Sequence, residues 1–274
     1  MIHIYSIIYP TSLEKEDFVG LFFELETEGI EEKDDTLDIY INDAQKQNAA
    51  EFIHEICINY DITFTTSFLE NKNWNEQWER SFNPILIDDF VYVRATFHPQ
   101  NSKTEHEIII EPKMSFGTGH HATTSQMMRN MHSLDFKNKV VLDGGSGTGI
   151  LAILAEKLGA KHCIALDNDE WCYTNCLENI ALNQSKNIDA EIGALENVQN
   201  KKFDIILANI HRNFLLENMG NLSSIVNVNG YILISGFYQA DSKQLLEEAL
   251  KHHLIANYMT SQEEWTCIVL QKKS

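Results

Sequence analysis

The sequence predicts an α/β chain in two parts, a small βαββαβ sandwich followed by a doubly wound, Rossmann-like parallel sheet. Three observations carry this. Strand-like and helix-like runs alternate along most of the 274 residues, and from Lys139 onward they alternate as a parallel sheet requires. One glycine-rich turn, Asp143-Gly144-Gly145-Ser146-Gly147-Thr148-Gly149, joins a buried-strand pattern to a helix. The first seventy residues alternate in a different order and contain no such loop.

Taken from the start, Ile2 to Tyr9 reads as a strand. Thr11 with Glu14 makes a capping-box pattern, Phe18, Leu21, Phe22 and Leu25 recur at helical spacing, and Gly29 supplies the stop. Glu31 to Ile41 reads as a hairpin around Lys33-Asp34-Asp35, Ala44 to Ile58 as helix and Ile62 to Phe68 as strand. That order is ferredoxin-like and defines a first domain over 1–70. Residues 71–84 read as a linker helix, with Trp74 and Trp78 on one face and Pro84 closing it. The second domain, 85–274, contains KVVLD, a helix from Ile150, KHCIALD, a helix from Glu170, FDIILAN, a helix from Arg212 and YILISGF. A helix with Leu245, Leu246, Ala249 and Leu250 follows, then strand-like runs Leu254 to Met259 and Trp265 to Leu270. Ligands are expected at the carboxyl ends of these strands.

Composition narrows the function. Hydrophobic residues at 43% and charged residues at 22% describe a folded globular chain. The formal charge of -19 opposes direct binding to nucleic acid, and leaves either solubility or attraction of a basic partner as its role. Cys57, Cys163, Cys172, Cys176 and Cys267 form no Cys-x-x-Cys pair and read as core thiols in a reducing compartment. No signal-like leader and no apolar run of ~20 residues is visible, so a cytoplasmic monomer without a membrane partner is expected.

The glycine turn carries the chemistry. A dinucleotide fingerprint wants glycine where Ile150 stands, which weakens a nicotinamide reading. Asp143 instead offers a carboxylate beside Gly145, Gly147 and Gly149, suited to a ligand bearing an ammonium group, such as S-adenosylmethionine. Asp167 ends the next strand about twenty residues on, where a carboxylate can accept ribose hydroxyls, although Asp169 competes for that role or for the helix cap. Asn209 reaches the carboxyl edge, to orient an amine or to cap a helix. In the segment from Glu111 to Met128, Thr124 could cap a helix or contact a bound carboxylate, and His120 and His121 have a pKa range suited to proton transfer but read first as surface or packing residues.

SFGTGHHATT, VLDGGSGTGILAI, ALDND and ILANI, in this order and spacing, resemble the ribosomal protein methyltransferase family PrmA, which modifies the eleventh large-subunit protein. The likeness spans nearly the whole chain, the WNEQW segment included. It implies a class I S-adenosylmethionine-dependent methyltransferase domain joined flexibly to a ferredoxin-like substrate-recognition domain. It further implies methylation of lysine side chains, the N-terminal amine or both. The family's cofactor contacts fall on Thr124, Gly145, Asp167 and Asn209, with Phe116, Gly117 and Gly147 as neighbours. Gly144 and Ser146 stand where the family's loop carries Val-like and Cys-like residues, and Lys113 where Gly is common. Asn209-Ile210 lacks the Asn-Pro-Pro-Tyr run of enzymes that methylate glutamine or adenine. Rival readings are a methyltransferase of another protein amine, a non-catalytic adaptor and a nicotinamide oxidoreductase.

Overall fold

The computed structural model describes residues 2–22, 25–69, 83–101, 103–111, 119 and 121–274. The chain divides into two compact units, Met1–Arg80 and Ser81–Ser274, and the division falls inside 71–84. The linker helix expected there, with Trp74 and Trp78, lies outside the described residues up to Asn83.

In the first unit β1 (Ile2–Ile8), α1 (Lys15–Gly20), β2 (Gly29–Glu32), β3 (Thr36–Asn42), α2 (Lys46–Tyr60) and β4 (Phe64–Leu69) follow in the expected order. The antiparallel sheet runs β2-β3-β1-β4, the ferredoxin-like arrangement. Alternation on β1 turns Tyr5 and Ile7 onto a core with Phe18, Phe22, Ile39 and Ile53. The first helix departs from expectation. It ends at Gly20, Gly29 opens β2, and Glu14 is the N-cap without a side-chain bond, so the Thr11–Glu14 capping box does not form. Tyr9, Leu13 and Leu25 on either side are drawn against the core, and this anchoring leaves room for only a short helix.

The second unit begins with a three-stranded sheet that sequence patterning does not reveal, β5 (Ile85–Ile87), β6 (Val91–Arg94) and β7 (His106–Ile109). Its strands are too short to show a period. Arg94, 5% exposed, forks onto Glu107 through Nε to Oε1 at 2.9 Å and Nη2 to Oε2 at 3.2 Å. Helix α3 (Ala122–Met131) follows, then β8 (Val140–Gly144), α4 (Ile150–Lys157), β9 (His162–Asp167), α5 (Glu170–Leu182), β10 (Ile188–Ile192), β11 (Phe203–Asn209), α6 (Arg212–Ile225), β12 (Val226–Tyr238), α7 (Ser242–Lys251), β13 (Leu254–Gln262) and β14 (Trp265–Lys272). The seven-stranded sheet runs β10-β9-β8-β11-β12-β14-β13, parallel except where β14 pairs with its neighbours.

Both faces of this sheet are buried, which is why its central strands read as unbroken apolar runs. Val141, Leu207 and Leu233 meet Met127 of α3 and Leu151 of α4, whereas Leu142, Ile206 and Ile234 meet Leu215 of α6 and Leu245 of α7. The order reverses at β8: the chain goes to β9 on one side and returns to β11 on the other, so a crevice opens at the carboxyl ends of β8 and β11. Four cysteines are buried as expected, but Cys172, in the first turn of α5, is only half-buried. Among the described residues no helix is long and apolar enough to cross a membrane.

Because removing one partner of a buried pair strands the other charge, Glu107→Gln is expected to cost about 2 kcal/mol of stability. Denaturant titration of both proteins measures it.

Candidate functional site

Gly145, Gly147 and Gly149 take φ of 66°, 52° and 76°, the left-handed region that glycine enters without steric cost. Space as well as angle excludes a side chain at two of them. A Cβ on Gly149 would stand 2.5 Å from Cys176 Sγ, and one on Gly145 2.8 Å from Ile210 Cγ1. The turn is sewn to the end of β9: the Gly145 and Ser146 N–H groups donate to the Leu166 carbonyl at 2.8 and 3.1 Å, and the Gly147 N–H to Asp167 Oδ2 at 2.8 Å.

The three acidic candidates are placed differently. Asp167, 9% exposed, lines a cleft of ≈ 250 Å³ with Gly145, Asn168, Gly193 and Ile210. Its Oδ1 also accepts the Asp169 N–H at 3.0 Å. Asp169 is the N-cap of α5, accepting from the Trp171 and Cys172 N–H groups at 2.7 and 3.0 Å. Asp143, 1% exposed, sits beneath the turn rather than in the cleft lining, and accepts the Ala152 N–H at 3.0 Å. Burial pushes its carboxyl up to about 8, against the Ala152 N–H, which favours the ionised form, and with the charge of Asp167 adding to the rise.

At the end of β11 the Asn209 Nδ2 donates to Thr124 Oγ1 at 3.2 Å. Neither residue caps a helix. His121 is the N-cap of α3 and His211 of α6, each accepting a backbone N–H at 3.4 Å through Nδ1. Asn209 Oδ1 is buried and has no partner among the described residues. Its neighbours in sequence, Ala208 and Ile210, line the cleft, whereas strand alternation turns the Asn209 side chain, like Leu207, to the other face of the sheet, toward Thr124 of α3. Phe116, Gly117 and His120 lie outside the described residues.

The structure thus brings Gly145 and Asp167 into one cleft, with Gly147 bonded to Asp167, and keeps the Thr124–Asn209 pair outside the lining, on the α3 face of the sheet. Sequence reasoning missed Asn168, Gly193, Ala194, His211 and Phe214 in the lining. It also missed β10, an edge strand whose apolar run Asp189 and Glu191 interrupt, and Gly193 directly follows that strand. Reading IDAEI as a strand would have placed Gly193 at a carboxyl end. Among the described residues no group of His, Cys, Asp and Glu could hold a metal ion.

A family model described as ribosomal protein L11 methyltransferase (PrmA) matches residues 9–273. The chain is similar to the ribosomal protein L11 methyltransferase of Phocaeicola vulgatus, 45% identical over 190 residues, covering 69% of this chain and 68% of that one. The similarity to that of Chlorobaculum parvum is 35% over 264 residues, 91% of each chain. Among solved structures, the ribosomal protein L11 methylase of Lactobacillus delbrueckii subsp. bulgaricus matches with a TM-score of 0.65 and 28% identity, covering 70% of this chain and 100% of that one.

The Asp143 carboxyl gives stability a pH dependence. Its raised value means that the fold keeps a proton which the unfolded chain releases near 3.8. The associated stability is fully present below about pH 4 and is lost as pH rises toward about 8, at up to ~1.4 kcal/mol per pH unit. Asp143→Asn retains an acceptor for Ala152 and should flatten this slope, read from unfolding midpoints between about pH 5 and 8.

Proposed function

We propose a division of labour among these residues from the premise that the chain belongs to the ribosomal protein L11 methyltransferase family. The protein is an S-adenosylmethionine-dependent methyltransferase of that ribosomal protein, and its acceptors are amines: lysine side chains, the N-terminal amine or both. The observation that supports this most directly is the glycine turn bonded through the Gly147 N–H to Asp167, in the wall of a cleft at the carboxyl ends of β8 and β11.

S-adenosylmethionine supplies a methyl group on a sulfonium, so no covalent enzyme intermediate is needed. The residues present suit it. Each Asp167 carboxylate oxygen accepts one backbone N–H and keeps a further lone pair, enough to clasp two ribose hydroxyls from the cleft wall. Gly145 offers bare backbone there. With Asp169 engaged as a helix cap, Asp167 is the acidic residue left for the sugar. Asp143 shapes the turn from below. Phe116 and Gly117 are proposed as further contacts.

Thr124 holds the Asn209 amide by its nitrogen, which leaves Oδ1 facing an acceptor N–H. Accepting from a neutral amine orients that nitrogen's lone pair, and in-line transfer then needs only close approach, about 3 Å between the reacting atoms. The amine must first be deprotonated. An α-amine near ~8 reaches that form more readily than a lysine near ~10.4, so the two acceptor classes should differ in pH profile. The first unit serves as the substrate-recognition domain: its residues 1–69 hold fifteen acidic side chains against Lys15, Lys33 and Lys46, and such a field attracts a basic protein. The enzyme works in the cytoplasm as a monomer.

Intact-mass analysis of ribosomal proteins with and without the gene tests the substrate: the eleventh large-subunit protein should lose mass in multiples of a methyl group when the gene is absent, and an unchanged mass contradicts it. Asn209→Ala should lower kcat at least tenfold while changing donor affinity less, whereas Asp167→Asn should weaken donor binding at least tenfold by calorimetry. Full turnover by Asn209→Ala would remove its assigned role.

A further inference from the structure

Three asparagines four residues apart, Asn175 and Asn179 on α5 and Asn183 at its C-cap, are not used by the mechanism above. Helical spacing puts them on one face. All three bond the backbone at the end of β7 and just beyond it, as a neighbouring strand would. The Asn183 amide exchanges both bonds with Ile109, accepting its N–H at 2.9 Å and donating to its carbonyl at 2.6 Å. Asn179 Oδ1 accepts the Glu111 N–H at 2.8 Å. Asn175 adds a long bond to the Glu111 carbonyl at 3.4 Å.

Asn179 differs from the other two in its second bond. Its Nδ2 donates at 2.9 Å to the carbonyl of Thr148, which stands in the glycine turn between Gly147 and Gly149. The side chain is 0% exposed, so the Asn179 amide makes both bonds away from water, and neither of its own polar atoms could turn to solvent instead. A carbonyl flanked by two left-handed glycines has no place in a regular ladder. The Asn179 amide satisfies it and, through the same plane, fixes Glu111, the residue that leads in sequence into 112–121.

We propose that Asn179 is a positioning residue for the methyl donor: it sets the glycine turn in its binding shape and ties that turn to the chain arriving from β7, so donor affinity depends on it although it does not line the cleft. The inference rests on the donor reading of the cleft given above. Asn183 is the internal control, since it makes the same kind of bonds from the same helix face and touches nothing in the turn.

The test compares Asn179→Leu, Asn179→Asp and Asn183→Leu with the unaltered chain, by thermal unfolding and by calorimetric titration with S-adenosylhomocysteine. Both leucine variants should lower the unfolding midpoint. Asn179→Leu should weaken binding about tenfold, and Asn179→Asp, which keeps the acceptor for Glu111 but sets a carboxylate oxygen against the Thr148 carbonyl, should weaken it at least as much. Asn183→Leu should bind within twofold of the unaltered chain. Turnover at saturating donor should stay within threefold in all variants that fold, so that the loss appears in KM. Should Asn179→Leu fail to fold, Asn179→Asp alone carries the comparison. Unaltered affinity in both Asn179 variants, or an equal loss in Asn183→Leu, overturns the proposal. Failure of the unaltered chain to bind the ligand would instead overturn the donor reading itself.

Discussion

The hydrogen bond from the Gly147 N–H to Asp167 Oδ2 is the join on which the site depends. It fastens a turn made of left-handed glycines to the end of the adjacent parallel strand, so the shape of the turn and the position of the acidic side chain are fixed together. Adjacent parallel strands place their carboxyl ends side by side, and the reversal of strand order at β8 leaves the space above them open. Without that bond the turn would keep its links to Leu166 and Asn179 but lose its direct tie to the carboxylate, which would then be held by the Asp169 N–H.

Three aspartates within a short stretch of sequence show how environment divides one chemistry into several roles. Asp143, buried beneath the turn, is held toward its neutral form. Asp169 is occupied by the first N–H groups of α5. Of the three, Asp167 is the one that both accepts two backbone N–H groups and lines the cleft. A second division appears at Asn209, whose nitrogen is engaged by Thr124 and whose oxygen has no partner among the described residues. Polar groups buried without partners carry a free-energy cost, which is the ground for the amine-orienting role proposed for this amide.

Much of this was legible in the sequence because the signals are local. Ile150, Glu170 and Arg212 begin helices as expected, since glycine, aspartate and histidine precede them in cap positions. The central strands declare themselves as apolar runs because both faces of the sheet are covered. What failed to show was non-local. Strands β5 to β7 are held by pairing with one another, β10 is an edge strand interrupted by acidic residues, and α1 is cut short by anchoring residues on either side of it. The Asn175–Asn179–Asn183 spacing is plain in the sequence, but the backbone groups these side chains satisfy lie some thirty to seventy residues away. Thr124 and Asn209 could each be suspected from position, yet their mutual bond spans 85 residues and only the fold reveals it.

A crystal structure of the protein with S-adenosylhomocysteine tests the central claim most directly. The account predicts the ribose in the cleft beside Gly145, with its two hydroxyls each within hydrogen-bond distance of an Asp167 carboxylate oxygen and the amino-acid end reaching toward Thr124. A nucleoside bound elsewhere, or a ribose in this cleft that leaves Asp167 untouched and is held by Asp169 instead, would contradict it.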